Sequence, residues 1–157
     1  MYYRPTLGTL LRRLIEQLDG AVEAGYVEDG LDYRPRYTPI ARALVRGGPA
    51  TLRDLAAQTG VSHSAISQTI AQMAERDLVT LTTGADARER IVALSDAAQA
   101  MLPRLERRWA ATEAGARSLD TDLGVPLTDL VAQALEALER QSFADRIRRS
   151  EAVQPEI

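Results

Sequence analysis

The sequence predicts a mainly α-helical fold that contains one two-stranded β-ribbon near its centre. In the first and last thirds of the chain, leucines recur at three- and four-residue steps, which is the spacing of an apolar stripe on a helix. Residues 78–82 and 91–94 are rich in threonine and branched side chains, and a turn containing Gly84 separates them. The fold class is therefore α+β, with helices dominating.

The N-terminal third predicts two helices. The first is expected over residues 6–27, followed by a break at Asp29-Gly30. Its stripe consists of Leu7, Leu10, Leu11, Leu14, Leu18 and Val22. Thr38 as N-cap and Pro39 in the first turn predict a short second helix, which ends at Gly47-Gly48-Pro49.

Capping residues predict the central and C-terminal helices. Thr51 and Asp54 have capping-box spacing, so a third helix is expected over residues 52–60. Ser62 is expected to cap a fourth helix that reaches about residue 77, and Ser95 a long helix that Pro103 bends. After a break at Gly124 and Pro126, one last helix is expected over residues 127–149.

Composition excludes several classes of site. The 157 residues include no cysteine and one histidine, which excludes disulfides and thiolate metal sites and argues against any metal or other cofactor. No apolar run approaches the roughly 20 residues that cross a bilayer, and no signal segment opens the chain, so we expect a cytoplasmic protein without membrane contact. The net charge is −3 overall, but +3 over residues 34–94 and −3 on each flank. A basic centre between acidic flanks is typical of a DNA-facing module.

Residues 52–70 have the pattern of a helix-turn-helix. Ala56 supplies the small residue where two helices cross, and Gly60 the residue that tolerates a positive φ. The apolar anchors are Leu55, Val61, Ile66 and Ile70, continued by Met73. The remaining face of the fourth helix is short in charge and rich in hydrogen-bonding groups, which suits base edges in the major groove. It consists of Ser62, His63, Ser64, Ser67, Gln68 and Gln72.

The β-ribbon predicts a second DNA contact. Arg88 and Arg90 share one side of it and are expected to reach phosphates or the neighbouring minor groove. Asp86 is expected to orient an arginine, because phosphates would repel its carboxylate. The fold class is therefore a winged helix-turn-helix with a two-stranded wing, plus terminal helices. The two terminal stripes are each too thin to form a core, so we expect them to pack together and against a second copy as a dimerisation bundle.

Residues 51–95 resemble the multiple-antibiotic-resistance regulator (MarR) family of bacteria. The marks are Leu55-Ala56, Gly60-Val61-Ser62, Glu75-Arg76-Asp77-Leu78-Val79 and the wing Asp86-x-Arg88-x-Arg90 leading to Val92-Ala93-Leu94-Ser95. The resemblance implies a two-fold homodimer that binds a palindromic operator on double-stranded DNA, as a repressor. It also implies release by a small aromatic or phenolic anion. Members that sense peroxide use a cysteine, which this chain lacks.

Two interpretations stay open for the aromatic residues. At the family's usual effector location, Tyr33, Tyr37 and Trp109 either line a small-molecule pocket or are ordinary core and interface aromatics. Arg36 would hold a carboxylate effector or a DNA phosphate. The expected division is 1–37 for N-terminal dimerisation, 38–94 for the winged helix-turn-helix, and 95–157 for the helices that complete the dimerisation region.

Two functions are compatible with these sequence features. A sequence-specific transcriptional regulator is favoured by the basic centre and the intact wing. The alternative is a protein-interaction module of winged-helix fold that no longer binds DNA. An enzyme is not expected, because Ser62, His63 and Ser64 occupy consecutive helical positions and point in different directions.

Overall fold

The computed structural model describes residues 4–86 and 88–153, with the backbone alone for residues 152 and 153. Within these ranges the chain is mainly helical, with three short strands. The elements are α1 (Leu7–Glu28), a 3₁₀ turn (Pro35–Tyr37), α2 (Thr38–Gly47), β1 (Ala50–Thr51), α3 (Leu52–Thr59), α4 (His63–Glu75), β2 (Val79–Thr83), β3 (Arg90–Leu94), α5 (Asp96–Leu123), α6 (Leu127–Arg140) and α7 (Phe143–Val153). The predicted mainly α class with a winged helix-turn-helix is confirmed.

The first helix begins and ends as the sequence predicted, to within one residue. Thr6 is its N-cap and accepts a hydrogen bond from the backbone N–H of Thr9. Asp29 is its C-cap, and Gly30 follows with a φ of 66°, a left-handed conformation that glycine adopts without strain. The apolar stripe of α1 is largely exposed, since Leu7, Leu10 and Leu18 are 68%, 50% and 47% accessible.

The start of α2 differs from the prediction by one residue. Thr38 is the first helical residue rather than the N-cap, and Tyr37 takes the cap position without a side-chain capping bond. The reason lies in the preceding segment, where Pro35–Tyr37 already forms a 3₁₀ turn that runs into the helix. The C-terminus is as predicted, because α2 ends at Gly47 and Gly48 has a φ of 74°.

The sheet has one strand more than the predicted ribbon. The wing strands pair antiparallel, with Val79 opposite Leu94 and Thr83 opposite Arg90. The two-residue strand β1 pairs with the other edge of β3, giving the order β1-β3-β2. Two residues are too few to show an alternating pattern, so the sequence did not indicate this strand.

The C-terminal prediction of one last helix is wrong. Two helices occupy that segment, because Gln141 is extended and Ser142 opens a new capping box. The Ser142 side chain accepts from the backbone N–H of Asp145 at 3.2 Å and bonds the Asp145 carboxylate at 2.7 Å. The start of α5 is as predicted, with the Ser95 hydroxyl accepting from the N–H of Ala98, and Pro103 lies inside that helix.

The chain divides into two compact units, residues 1–110 and 111–157. The first contains the hydrophobic core, which joins α1, the 3₁₀ turn, α2 to α4, the sheet and the first half of α5. Its largest fully buried side chains are Tyr26, Tyr37, Ile40, Leu55, Ile66, Ile70, Met73, Val92 and Leu105. In the second unit α6 buries none of its residues, and its apolar side chains Leu130, Val131, Leu135 and Leu138 are exposed.

Candidate nucleic-acid interface

Local capping fixes the geometry of the helix-turn-helix. The Thr51 hydroxyl accepts from the N–H of Asp54 and donates to its carboxylate at 2.8 Å, which starts α3. Gly60 ends α3 in the left-handed conformation, with a φ of 68°. Two residues later Ser62 caps α4 by accepting from the N–H of Ala65. The turn between the helices is therefore short, with a cap on each side.

The anchors of the motif are buried with one exception. Leu55, Ile66, Ile70 and Met73 are each at most 2% exposed and join the core. Val61, which was expected to be an anchor inside the turn, is 36% exposed. Three of these anchors, Ile66, Ile70 and Met73, hold the inner face of α4 against the core, so its opposite face is presented to solvent.

That outer face contains five of the six residues predicted on α4. Ser62, His63, Ser64, Ser67 and Gln68 are all exposed. The first turn of α4 contains no acidic residue, so nothing there opposes the positive end of the helix dipole. A helix N-terminus of this kind favours a phosphate or a base edge, because its free N–H groups point outward.

Gln72 is placed differently from the other five. It is half-buried, and its amide oxygen is buried without a hydrogen-bond partner among the described residues. An asparagine or glutamine reads adenine with its oxygen and nitrogen together. In this conformation Gln72 cannot present both atoms, so Gln68 is the better placed amide.

The wing is organised by Asp86. Its carboxylate accepts a hydrogen bond from the backbone N–H of Arg88 at 2.9 Å, and its carbonyl accepts from the N–H of Glu89 at 2.9 Å. Asp86 thus orients the backbone of the turn rather than a guanidinium. Ala87 lies outside the described residues.

Both wing arginines are exposed. Arg90 opens β3 opposite Thr83, and Arg88 lies in the turn before it. Neither forms an ion pair within residues 4–86 and 88–153. Their charges are therefore unneutralised, as a phosphate or minor-groove contact requires.

Arg53 was not singled out by the sequence analysis. It is exposed in the first turn of α3 and has no ion pair in the described part of the chain. The first helix of a helix-turn-helix crosses the DNA backbone, which places such a residue near phosphates. The signal was available, since Arg53 stands two residues after the Thr51 cap within the basic centre.

The candidate effector residues are core aromatics in this structure. Tyr33, Tyr37 and Trp109 are 3%, 0% and 6% exposed, whereas Arg36 is exposed. The Tyr33 ring packs edge-on against the rings of Tyr26 and Tyr37, at centroid distances of 4.9 and 5.6 Å. Tyr26 was missed because nothing in a helix C-terminus distinguishes it from an ordinary core residue.

The polar atoms of this cluster are unusual. The hydroxyls of Tyr33 and Tyr37 and the indole N–H of Trp109 are buried without a hydrogen-bond partner among the described residues. Buried polar groups are nearly always paired, so these three unpaired groups need a reason. Burial raises the pKa of Tyr33, which keeps its hydroxyl neutral and able to donate. The guanidinium of Arg42 lies 5.3 Å from the centroid of the Trp109 ring.

Neither a metal-binding cluster nor a membrane-crossing helix is found in the described residues. In the described residues, no group of three or more histidine, aspartate or glutamate side chains is arranged to hold a metal ion. No helix in the same part of the chain has the length and apolar character to cross a membrane.

Comparison with known proteins identifies the module. Residues 29–89 match the model of the MarR family. Over this central segment of the chain the sequence is similar to the MarR family. Solved structures with a similar fold include proteins described as transcriptional regulators, one of them a MarR family regulator from Rhodococcus that is 25% identical.

Three structures illustrate the extent of the likeness. The Mycobacterium tuberculosis transcriptional regulator MOSR, solved in complex with DNA, is 21% identical with a TM-score of 0.71, over 88% of this chain and 100% of that one. The PcaV regulator of Streptomyces coelicolor, in complex with its natural ligand, is 20% identical with a TM-score of 0.68, over 87% and 99%. A MarR family transcriptional regulator from Silicibacter pomeroyi is 25% identical with a TM-score of 0.61, over 88% and 98%. No curated protein matches the chain.

Proposed function

We propose that this chain is a sequence-specific regulator that binds a palindromic operator as a homodimer and acts as a repressor in the cytoplasm. The observation that carries the proposal is the outer face of α4. Five polar side chains are exposed there, on a helix whose opposite face is anchored in the core. MOSR, which shares the fold, was solved on DNA, which supports the same use of the face here.

Each residue of the interface has a proposed role. Gln68 and Ser64 read base edges in the major groove from the exposed face of α4. Ser62 and His63 lie at the helix N-terminus and contact the backbone or a base, with Ser67 and the amide nitrogen of Gln72 farther along. Arg88 and Arg90 contact the minor groove or phosphates, and Arg53 a phosphate.

The homodimer is proposed to form through the terminal segments. The apolar stripe of α1 and the apolar faces of α6 and α7 are exposed, including Leu7, Leu135 and Phe143 at 68%, 59% and 61%. Monomeric soluble proteins rarely leave such extended apolar faces open to water. A second copy would cover them, so we assign residues 1–37 and 95–157 to dimerisation and 38–94 to DNA.

Release by a small aromatic or anionic effector is proposed at the tyrosine cluster. The unpaired donors of Tyr33, Tyr37 and Trp109 would bond acceptor atoms, while Arg36 and Arg42 supply positive charge. Because the rings are buried, binding requires an opened minor conformation, and the ligand would shift the population toward it. The ligand-bound PcaV structure supports an effector in this fold.

The deciding experiment measures base reading by Gln68. A duplex enriched from a random-sequence pool by the purified protein serves as operator, and binding is followed by fluorescence anisotropy at fixed salt. Gln68→Ala should weaken operator binding by about 1–3 kcal/mol and relax the base preference at one position of each half-site. Gln133→Ala, an exposed glutamine of α6, is the matched control and should bind as the unaltered protein does.

Three results would each contradict part of the proposal. An equal loss on operator and random DNA would show that Gln68 does not read bases. Failure of the unaltered protein to bind any duplex, even at low salt, would instead favour a protein-interaction module. Sedimentation of the full chain as a monomer at micromolar concentration would contradict the proposed homodimer.

A further inference from the structure

The attachment of α1 to the rest of its unit is confined to its C-terminal end. Of its 22 residues, Gly25 and Tyr26 are buried, and Val22 and Glu23 near them are half-buried. The residues from Leu7 to Arg13 are all exposed. The direction of this long helix therefore depends on the contacts made by its last turn.

One of these contacts is a fork between Arg108 of α5 and Asp29, the C-cap of α1. The Nε of Arg108 donates to Oδ2 of Asp29 at 2.6 Å, and Nη2 donates to Oδ1 at 2.8 Å. The same Nη2 lies 3.5 Å from the Glu28 carboxylate, and Arg104 donates to the Asp29 carbonyl at 3.1 Å. Two parallel hydrogen bonds between planar groups fix both distance and angle.

Gly25 makes room for this fork. A Cβ at Gly25 would lie 3.0 Å from Nη1 and 3.4 Å from Cζ of Arg108. Gly8 and Gly20, on the same helix, have nothing within 4 Å of the equivalent position. Glycine is a poor helix former, so a glycine inside α1 needs a reason. At Gly25 the reason is the close approach of the Arg108 guanidinium, for which a larger side chain would leave no room.

The fork is more suited to setting geometry than to stabilising the fold. The side chains of Arg108 and Asp29 are 29% and 30% exposed, and ion pairs so accessible to water contribute little to stability. A helix of 22 residues is about 33 Å long at 1.5 Å per residue. A change of about 5° at its C-terminal end would move its N-terminus by about 3 Å, roughly the rise of one base pair.

We propose that the Asp29–Arg108 fork, with Gly25, is a positioning element that fixes the direction of α1 and thereby selects the half-site spacing that the dimer accepts. The spacing part rests on the proposed function, because it requires that α1 belongs to the dimer interface and that two copies of α4 read one operator. Arg108 and Asp29 would then determine specificity without touching DNA.

The first experiment measures the direction of α1 within one protomer. The chain lacks cysteine, so Gly8→Cys on α1 and Thr80→Cys on β2 give one spin-label pair, studied in a large excess of unlabelled protein. Double electron–electron resonance should give a narrow distance distribution, which Asp29→Asn and Gly25→Ala widen by several ångströms. Gly20→Ala is the matched control and should leave it narrow. Unchanged widths in Asp29→Asn and Gly25→Ala would overturn the positioning role, whether or not the protein binds DNA.

The second experiment measures spacing selectivity. Binding is compared on a set of duplexes in which the enriched half-sites are one or two base pairs closer or farther apart. Asp29→Asn and Gly25→Ala should lower the preference for the best spacing at least about fivefold, whereas Gly20→Ala should not. Arg108→Lys keeps the charge but not the fork, so it should behave like Asp29→Asn.

The outcomes separate this inference from the proposed function. An equal loss of affinity at every spacing, in variants that unfold at the normal temperature, would show a general structural role and overturn the inference. A wider distance distribution with unchanged spacing preference would overturn it too. Absence of DNA binding by the unaltered protein would instead contradict the proposed function, and with it the spacing part of the inference. The spin-label result would still decide whether the fork fixes the direction of α1.

Discussion

Replacing Tyr37 by phenylalanine tests whether the unpaired hydroxyl of Tyr37 destabilises the folded protein. Tyr37 is 0% exposed, and its hydroxyl has no hydrogen-bond partner among the described residues. An unsatisfied buried polar group costs about 1–3 kcal/mol. Tyr37→Phe removes that group and keeps the ring, which packs edge-on against Tyr33. The free energy of unfolding should therefore rise by about 1 kcal/mol or more.

Tyr26→Phe is the matched control. Tyr26 is 1% exposed, but its hydroxyl lies 3.4 Å from the hydroxyl of Thr38. A hydrogen bond contributes about 0.5–1.5 kcal/mol, and this long one belongs at the low end of that range. The same chemical change should therefore lower the stability at position 26 and raise it at position 37.

The assay is urea and thermal unfolding followed by circular dichroism, at one protein concentration because dimerisation would shift the midpoint. For a chain of this size, 1 kcal/mol corresponds to about 2–4 °C in the melting temperature. A Tyr37→Phe variant less stable than the unaltered protein would refute the reasoning, since it would show that the hydroxyl is hydrogen-bonded. If the cluster binds an effector, the same variant should bind that effector more weakly despite its greater stability.

Three other predictions follow from single side chains. Arg88→Ala should reduce the salt dependence of DNA binding by about one counterion per subunit and leave the fold intact by circular dichroism, with Arg117→Ala as control; equal salt slopes would contradict the wing assignment. Ile70→Ala, at a side chain 2% exposed, should cost about 2–5 kcal/mol in urea unfolding, and a cost below about 1 kcal/mol would show that α4 is not anchored there. The hydrogen bond from Arg108 holds the pKa of Asp29 below its ordinary value of 3.8. The pair therefore stabilises the folded protein at pH values above 3.8, and this stabilisation is lost as the pH falls through the lower pKa of Asp29 in the folded state. Asp29→Asn should remove this part of the acid dependence, measured by urea unfolding from about pH 5 to pH 2.

Most helix ends were predictable because their capping signals are local. Thr51, Ser62 and Ser95 start α3, α4 and α5 by accepting a backbone hydrogen bond three residues ahead. The same capping signal is present at Ser142 and Asp145. Because the apolar pattern continues past it, one helix was predicted where the structure has α6 and α7. At Thr38 the signal misled, because the preceding 3₁₀ turn extends the helix backward.

The DNA-facing side chains were also predictable, with one ambiguity. Removing the apolar anchors from α4 left the exposed face directly, because burial follows helical periodicity. Periodicity places Gln72 on the edge of that face but does not decide its rotamer, and its oxygen turned inward. Val61 has an anchor's position in the pattern, yet it lies in a turn that leaves it exposed.

The sequence by itself determined the order of the elements, the helix-turn-helix and its exposed face, since each depends on neighbours within a few residues. Only the tertiary structure decided that Tyr26, Tyr33 and Tyr37 share one buried cluster, in which the hydroxyls of Tyr33 and Tyr37 have no partner among the described residues, and that Arg108 forks onto Asp29 beside Gly25. The fork joins residues 79 positions apart in the chain. No local pattern encodes such a contact, because it exists only where the packing of the core brings the end of α1 against α5.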